Sequence, residues 1–138
     1  FNPDGSESLA EFQVSSYTSS ALKNGSVIEL AGNKLLFVWH GRDQDTGFSG
    51  IYGRVLNSIT GEELLPELRL NDSTDSGIYP GVTLLQHGNA FVSWKGDIPG
   101  SIYGKVINPD DGSNIVSEML LTDGKSFHFS PSISQLDD

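Results

Sequence analysis

An internal repeat constrains the fold of this chain more than any other feature of its sequence. The phrase GIYGRVLN at residues 50–57 returns as SIYGKVIN at residues 101–108, an offset of 51 residues. Upstream, SVIELAGNKLLFVW at 26–39 aligns without a gap with GVTLLQHGNAFVSW at 81–94. A recurring unit of this length indicates a repeat architecture, in which each copy is one supersecondary unit that packs against its neighbours.

Partial copies occur at both ends of the chain. Residues 1–14 match 107–121 with one deletion, and residues 130–136 match 79–85. We therefore predict one repeat-containing segment over 1–138: the end of a preceding repeat at 1–20, repeat one at 21–75, repeat two at 76–126 and the start of a following repeat at 127–138. We also expect the chain to be a piece of a longer one.

Each unit is predicted to contain four strands, a to d. The predicted spans are a at 26–30 and 81–85, b at 34–39 and 90–94, c at 50–57 and 101–108, and d at 67–70 and 118–121, with 11–14 as the strand d of the preceding repeat. Gly32-Asn33 and Gly88-Asn89 are expected to supply the positive φ angles of the a–b turns.

The hydrophobic pattern differs between strands and predicts the architecture. Strand b is apolar on both faces, which is typical of a strand covered on both sides. Strand d alternates instead, as Leu68 and Leu70 flank Arg69, which indicates one solvated face. The fold class we predict is all-β, with about two and a half four-stranded blades of a β-propeller. A β-sandwich or a meander is the alternative.

The charge, the apolar runs and the lack of cysteine argue against several classes of function. The net charge is −10 and the eight basic residues are scattered, whereas nucleic-acid binders usually carry a basic patch. The longest apolar run, LLFVW at 35–39, is far shorter than the roughly 20 residues of a membrane helix. There are no cysteines, so disulfides and thiolate metal sites are excluded. We expect neither nucleic-acid binding nor membrane insertion.

EFQV at 11–14, a predicted strand that ends in Trp39, and QDTGFSGIYG at 44–53 follow one another in this chain. This pattern resembles a repeat of very large secreted bacterial proteins, which runs E-F-x-V, then a strand ending in Trp, then Q-D-G-S-G-x-G-I-Y-G. The family includes adhesins and haemolysin-type (RTX-like) calcium-binding proteins. The resemblance implies a secreted or cell-surface β-propeller module. Thr46 replaces the family glycine, and the calcium-binding glycine-rich nonapeptides do not occur in this sequence.

One loop has the spacing of a calcium site. Asp43 and Asp45 alternate ahead of Gly47, and alternate carboxylates before a glycine can wrap a hard cation. Backbone carbonyls and water would have to complete the six to eight oxygen ligands that calcium prefers. The alternative is a solvated acidic turn.

The candidate ligand-binding residues are Trp39, Trp94, His40 and Asp97. Trp39 and Trp94 end equivalent b strands, where an indole could stack on a sugar ring; the alternative is that both pack in the core. The histidines share no repeat position, and no Ser-His-Asp order or paired-carboxylate cleft can be assigned. We therefore predict no catalytic residues and no enzyme.

These observations lead to one functional expectation with two alternatives. The leading hypothesis is a non-catalytic extracellular β-propeller repeat module of a larger surface or secreted protein, serving adhesion or structural display. The alternatives are a carbohydrate-binding, lectin-like propeller and a fragment of a secreted hydrolase whose active site lies in other blades. Expected partners are further blades of a parent chain, a second copy, or a glycan or other cell-surface ligand.

Overall fold

The computed structural model describes residue 4 and residues 10–17, 22–42, 49–72, 76–122, 131–132 and 134. Within these ranges the chain forms eight strands and one short 3-10 helix. The strands are β1 (Lys23–Leu30), β2 (Lys34–Arg42), β3 (Ser49–Asn57), β4 (Glu63–Arg69), β5 (Ile78–Leu84), β6 (Ala90–Lys95), β7 (Ile102–Ile107) and β8 (Asn114–Leu120). The 3-10 helix spans Gln86–Gly88, and no helix in these ranges is long and apolar enough to cross a membrane.

The strands form two antiparallel sheets of identical topology. Their orders are β1-β2-β3-β4 and β5-β6-β7-β8, so each sheet is a meander of four consecutive strands. The all-β fold and the four-stranded unit predicted from the repeat are therefore confirmed. Each sheet corresponds to one full copy of the repeat.

The sheets pack together through faces that are not equivalent. We call the side of the first sheet that carries Leu36, Val38 and Val55 its front face; by the repeat alignment, the front face of the second sheet carries Phe91, Ser93 and Val106. The opposite side, the back face, carries Leu35, Phe37 and Trp39 in the first sheet and Ala90, Val92 and Trp94 in the second. The core joins the front face of the first sheet to the back face of the second. Its buried members are Leu30, Leu36, Val38, Ile51, Val55, Leu65, Leu70, Val82, Ala90, Val92, Trp94 and Ile107.

The contact between the two sheets is most extensive along β1 and β5, and β5 also contacts β2 and β3. Both of these strands contain a register shift at the same aligned place, between Lys23 and Ser26 in β1 and between Ile78 and Gly81 in β5. A left-handed residue lies at each shift, Asn24 (φ 53°) and Tyr79 (φ 54°). The repeat is therefore reproduced even in its backbone irregularities.

The outer strands differ from the prediction in their starting points. Strand d was predicted at 67–70 and 118–121, but β4 begins at Glu63 and β8 at Asn114. Pro66 accounts for the difference in β4, because proline usually ends a strand but is tolerated in an edge strand whose outward N–H groups need no partner. The alternating burial predicted for strand d is seen in β4 around Leu65 and is absent from β8, which is largely exposed on both sides.

Two further predictions need correction. In the second a–b turn the left-handed residues are His87 (φ 67°) and Gly88 (φ 83°), rather than Gly88 and Asn89. The segment 10–17, predicted to contain a strand at 11–14, has no strand assignment in the part of the chain that is described. It is held on the first sheet by side-chain contacts instead of by a backbone ladder.

Candidate functional site

The tyrosine and the glycine of the Ile-Tyr-Gly phrase have the same packing role in both sheets. Tyr52 is directly opposite Trp39 on the neighbouring strand, and the rings stack with centroids 6.3 Å apart and planes at 22°. Trp94 and Tyr103 repeat this pair at 6.3 Å and 17°. Such cross-strand aromatic pairs stabilise a sheet beyond the area that they bury.

The tryptophans are interior residues in this structure. Trp39 is 5% exposed and Trp94 is 1% exposed, and Trp94 belongs to the core between the sheets. The structure thus agrees with the packing alternative considered for both side chains. Carbohydrate binding at these residues stays a prediction.

Glycines make room for this arrangement. A Cβ atom at Gly96 would lie 2.5 Å from Cε2 of Tyr103, and one at Gly50 would lie 2.9 Å from Cε2 of Tyr52. The glycine of the phrase itself faces the end of strand d: a Cβ at Gly53 would be 3.0 Å from Leu70. The backbone there must approach a side chain closely, which only glycine permits.

A buried cation joins the two repeats. The Nζ atom of Lys105, in β7, donates to the backbone oxygen of Leu70 at 2.7 Å and to Oδ1 of Asp72 at 2.7 Å. The lysine side chain is 3% exposed, whereas that of Asp72 is 54% exposed. Charge-assisted hydrogen bonds of this kind are about twice as strong as neutral ones. Lys105 therefore ties the second sheet to the segment by which the chain leaves the first.

The same contact occurs one repeat earlier. Arg54 is aligned with Lys105, and its Nη1 atom donates to the backbone oxygen of Val14 at 2.7 Å. Val14 is aligned with Leu70, so residues 10–17 lie against the first sheet as the end of β4 lies against the second. The segment thus occupies the place that the alignment assigns to the end of a preceding repeat.

A glutamate in each strand d makes a further contact at the junction, the place where consecutive repeats meet. Oε2 of Glu118 accepts a hydrogen bond from the backbone N–H of Asp72 at 2.7 Å, and Oε2 of the aligned Glu67 accepts one from Ser16 at 2.7 Å. We call this set the junction clamp: Arg54 with Glu67 at one junction and Lys105 with Glu118 at the other. We did not predict this set from the sequence, although a basic residue in strand c and a glutamate in strand d recur in both repeats.

The polar residues predicted as ligand-binding are not brought together by the contacts of the structure. His40 lies in β2, and its Nδ1 atom is buried without a hydrogen-bond partner among the described residues. Burial, aided by the positive charge of Lys23, lowers the pKa of His40 below its ordinary value. Asp97 follows β6, where its Oδ2 atom accepts a hydrogen bond from the backbone N–H of Ser76 at 3.0 Å. Asp97 thus links the loop after β6 to the segment before β5.

The predicted calcium ligands Asp43, Asp45 and Gly47 lie outside the described residues, so calcium binding stays a prediction. In the ranges given above, no group of three or more His, Asp or Glu side chains is arranged to hold a metal ion. No catalytic cluster was predicted.

Two cavities adjoin the first sheet. One, of about 310 Å³, is mostly apolar and lies beside its back face, with Val14, Leu22, Val27, Phe37 and Trp39 among its lining residues. The other, of about 290 Å³, is mostly polar and is lined by residues 24–26, 79–82 and 131–132. These three segments occupy aligned positions in successive copies of the repeat, so equivalent parts of three units surround one cavity.

Comparisons with protein families, with curated proteins and with solved structures find no significant match to this chain.

Proposed function

We propose that this chain is a non-catalytic β-propeller repeat module of a larger secreted or cell-surface protein, and that it serves adhesion or structural display. Its two sheets act as adjacent blades, and its loops are carried at the rim. The observation that supports this most directly is the packing of the front face of one sheet on the back face of the next. An interface between unlike faces can be repeated indefinitely and closes into a ring when the rotation between units allows.

The junction clamp supports the same proposal. Blades that follow one another around an axis need the same attachment at every step, and the contact from Lys105 to Leu70 is reproduced by that from Arg54 to Val14. In a two-layer sandwich, by contrast, the two sheets close one core, and no second set of identical contacts is required on an outer face.

The polar cavity supports a rotational arrangement. In a propeller the innermost strands of all blades surround a central channel. The aligned segments at 24–26, 79–82 and 131–132 line one cavity, and the sheets contact each other most extensively along β1 and β5, the first strands of their units. This is the geometry expected when strand a of each unit faces an axis.

A display role places recognition in loops on a rigid scaffold. The two repeats differ most between strands b and c, where the first copy is four residues longer by the alignment and contains Asp43 and Asp45. We infer that this loop is the variable surface of the module. Asp43 and Asp45 in this loop would contribute carboxylate ligands to a structural calcium ion.

The test uses the complete chain and a variant whose residues 41–49 are replaced by residues 96–100, so that Gly50, which leaves room for Tyr52, is kept. Both are examined for binding to a glycan array and to cultured cells, and for turnover of glycoside and ester substrates. The proposal expects equal unfolding free energies, no turnover, and any binding confined to the chain with its own loop. Turnover by the complete chain would contradict the non-catalytic role, and glycan binding that survives the exchange but is lost in Trp39→Ala would favour the lectin-like alternative.

The calcium proposal has its own measurement. A bound ion that prefers the folded chain raises the melting temperature by mass action. Calcium should therefore raise the melting temperature relative to a chelator, and the increase should vanish in Asp43→Asn/Asp45→Asn. A melting temperature that is unaffected by calcium would end this part of the proposal.

A further inference from the structure

The two copies of strand d differ sharply in exposure although their sequences are aligned. In β4, Leu65 is 8% exposed, and Leu70, just after the strand, is 1% exposed. Their aligned partners Val116 and Leu121, in and after β8, are 37% and 44% exposed. Between them, Met119 is 39% exposed, whereas the aligned Leu68 packs against the core. The same apolar positions are thus covered in one repeat and open in the other.

In the first repeat, these apolar positions are covered by residues of the second repeat. A Cβ atom at Gly112, in the turn between β7 and β8, would lie 3.1 Å from Cδ1 of Leu68 and 3.6 Å from Cδ1 of Leu65. Leu70 lies beneath the second sheet, and Lys105 binds its backbone oxygen. The turn that contains Gly112 and the side chain of Lys105, both from the second repeat, therefore cover the end of β4.

From this comparison we propose that the outer side of β8, formed by Val116, Met119 and Leu121, is a docking surface for a further repeat unit of the same type. This inference rests on the proposed function, since a blade has a neighbour on each face. The partner is specified by its chemistry: an apolar back face like that of β5–β8, a c–d turn with a left-handed glycine, and a basic residue in strand c.

The interface inside the chain defines the contacts that the partner would make. Its glycine turn would lie on Val116 and Met119, as Gly112 lies on Leu65 and Leu68. Its basic side chain would bind the backbone oxygen of Leu121, as Lys105 binds that of Leu70. The surface is apolar and well short of full burial, as expected for part of an interface that is fully covered only when the neighbour is present.

The docking surface can be tested by adding one unit to the complete chain. A second copy of residues 72–122 is inserted directly after residue 122, which preserves the repeat offset of 51 residues. Because the chain contains one methionine, the inserted copy carries leucine at the position copied from Met119, and Met119 remains the sole methionine. The rate at which hydrogen peroxide oxidises Met119 then reports its exposure.

We expect Met119 to be oxidised about tenfold more slowly in the extended chain, since a covered methionine reacts only when the structure opens locally. Val116→Lys in the original second repeat should restore fast oxidation, because it places a charge in the new interface. Ile115→Lys is the matched control: Ile115 is 53% exposed, and its aligned partner Leu64 stays 42% exposed in the repeat whose strand d is covered, so protection should persist.

Unchanged oxidation of Met119 in a folded extended chain would overturn the docking surface. So would failure of the extended chain to fold where the 138-residue chain folds, because the insert is copied from the chain itself. Chains with one, two and three added units, compared by small-angle scattering, separate this inference from the proposed function. Protection of Met119 within straight, lengthening stacks would contradict the propeller while leaving the docking surface intact.

Discussion

The exposure difference between aligned leucines gives the sharpest prediction about stability. Leu70 and Leu121 directly follow equivalent strands, but Leu70 is 1% exposed beneath the second sheet, whereas Leu121 is 44% exposed. Leucine-to-alanine replacement therefore removes the same atoms in two different environments. The difference between the two losses of unfolding free energy therefore measures how much Leu70 gains from being covered by the second sheet.

The magnitudes follow from burial. Leu70→Ala loses the transfer free energy of the side chain and leaves a cavity between sheets, which together cost about 3 kcal/mol in packed cores. Leu121→Ala opens no enclosed cavity and should cost about 1 kcal/mol, since roughly half of its burial is absent from the start. For a chain of this size the corresponding drops in melting temperature are about 6–12 °C and about 2–4 °C.

The assay is urea unfolding of the wild-type chain and both variants, followed by tryptophan fluorescence and by circular dichroism. The free energy of unfolding is compared at equal m-values, so that the difference reflects the folded state. Equal losses in the two variants, or a larger loss in Leu121→Ala, would refute the reasoning that the front face of the first sheet is covered by the second.

The remaining predictions concern other packing contacts and the half-buried His40. Lys105→Met should lower the unfolding free energy by about 1–3 kcal/mol, because the oxygen of Leu70 loses its partner; urea unfolding measures the loss, and a neutral result would argue against the clamp. Gly77→Ala should destabilise strongly, since its Cβ would lie 2.7 Å from Ile51, whereas Gly25→Ala, with no atom nearer than 3.9 Å, should be tolerated; equal melting temperatures would contradict this. The lowered pKa of His40 means that the unfolded chain binds its proton more readily. Stability should therefore fall as the pH drops below about 6.5, the ordinary pKa of histidine, and His40→Gln should flatten that fall in melting curves recorded from pH 8 to pH 5.

Much of the local structure follows from the sequence. The offset of 51 residues, the alternation of strands and turns, and the recurrence of Ile-Tyr-Gly specify two four-stranded meanders, and both are present. Pairing inside a sheet is readable in this way because neighbouring strands are joined by short loops and because side chains alternate between faces. The stacking of Trp39 on Tyr52 is a consequence of that register.

The tertiary structure decided which faces meet and therefore which residues are available for function. The sequence left open whether Trp39 and Trp94 are exposed or packed in the core, and in the structure both are buried. Leu70 and Leu121 are aligned, yet only Leu70 is covered. Exposure is a property of the neighbour as well as of the strand, because an apolar side chain is removed from water only where a second surface packs on it. The apolar pattern of one strand does not show which other surface packs on it.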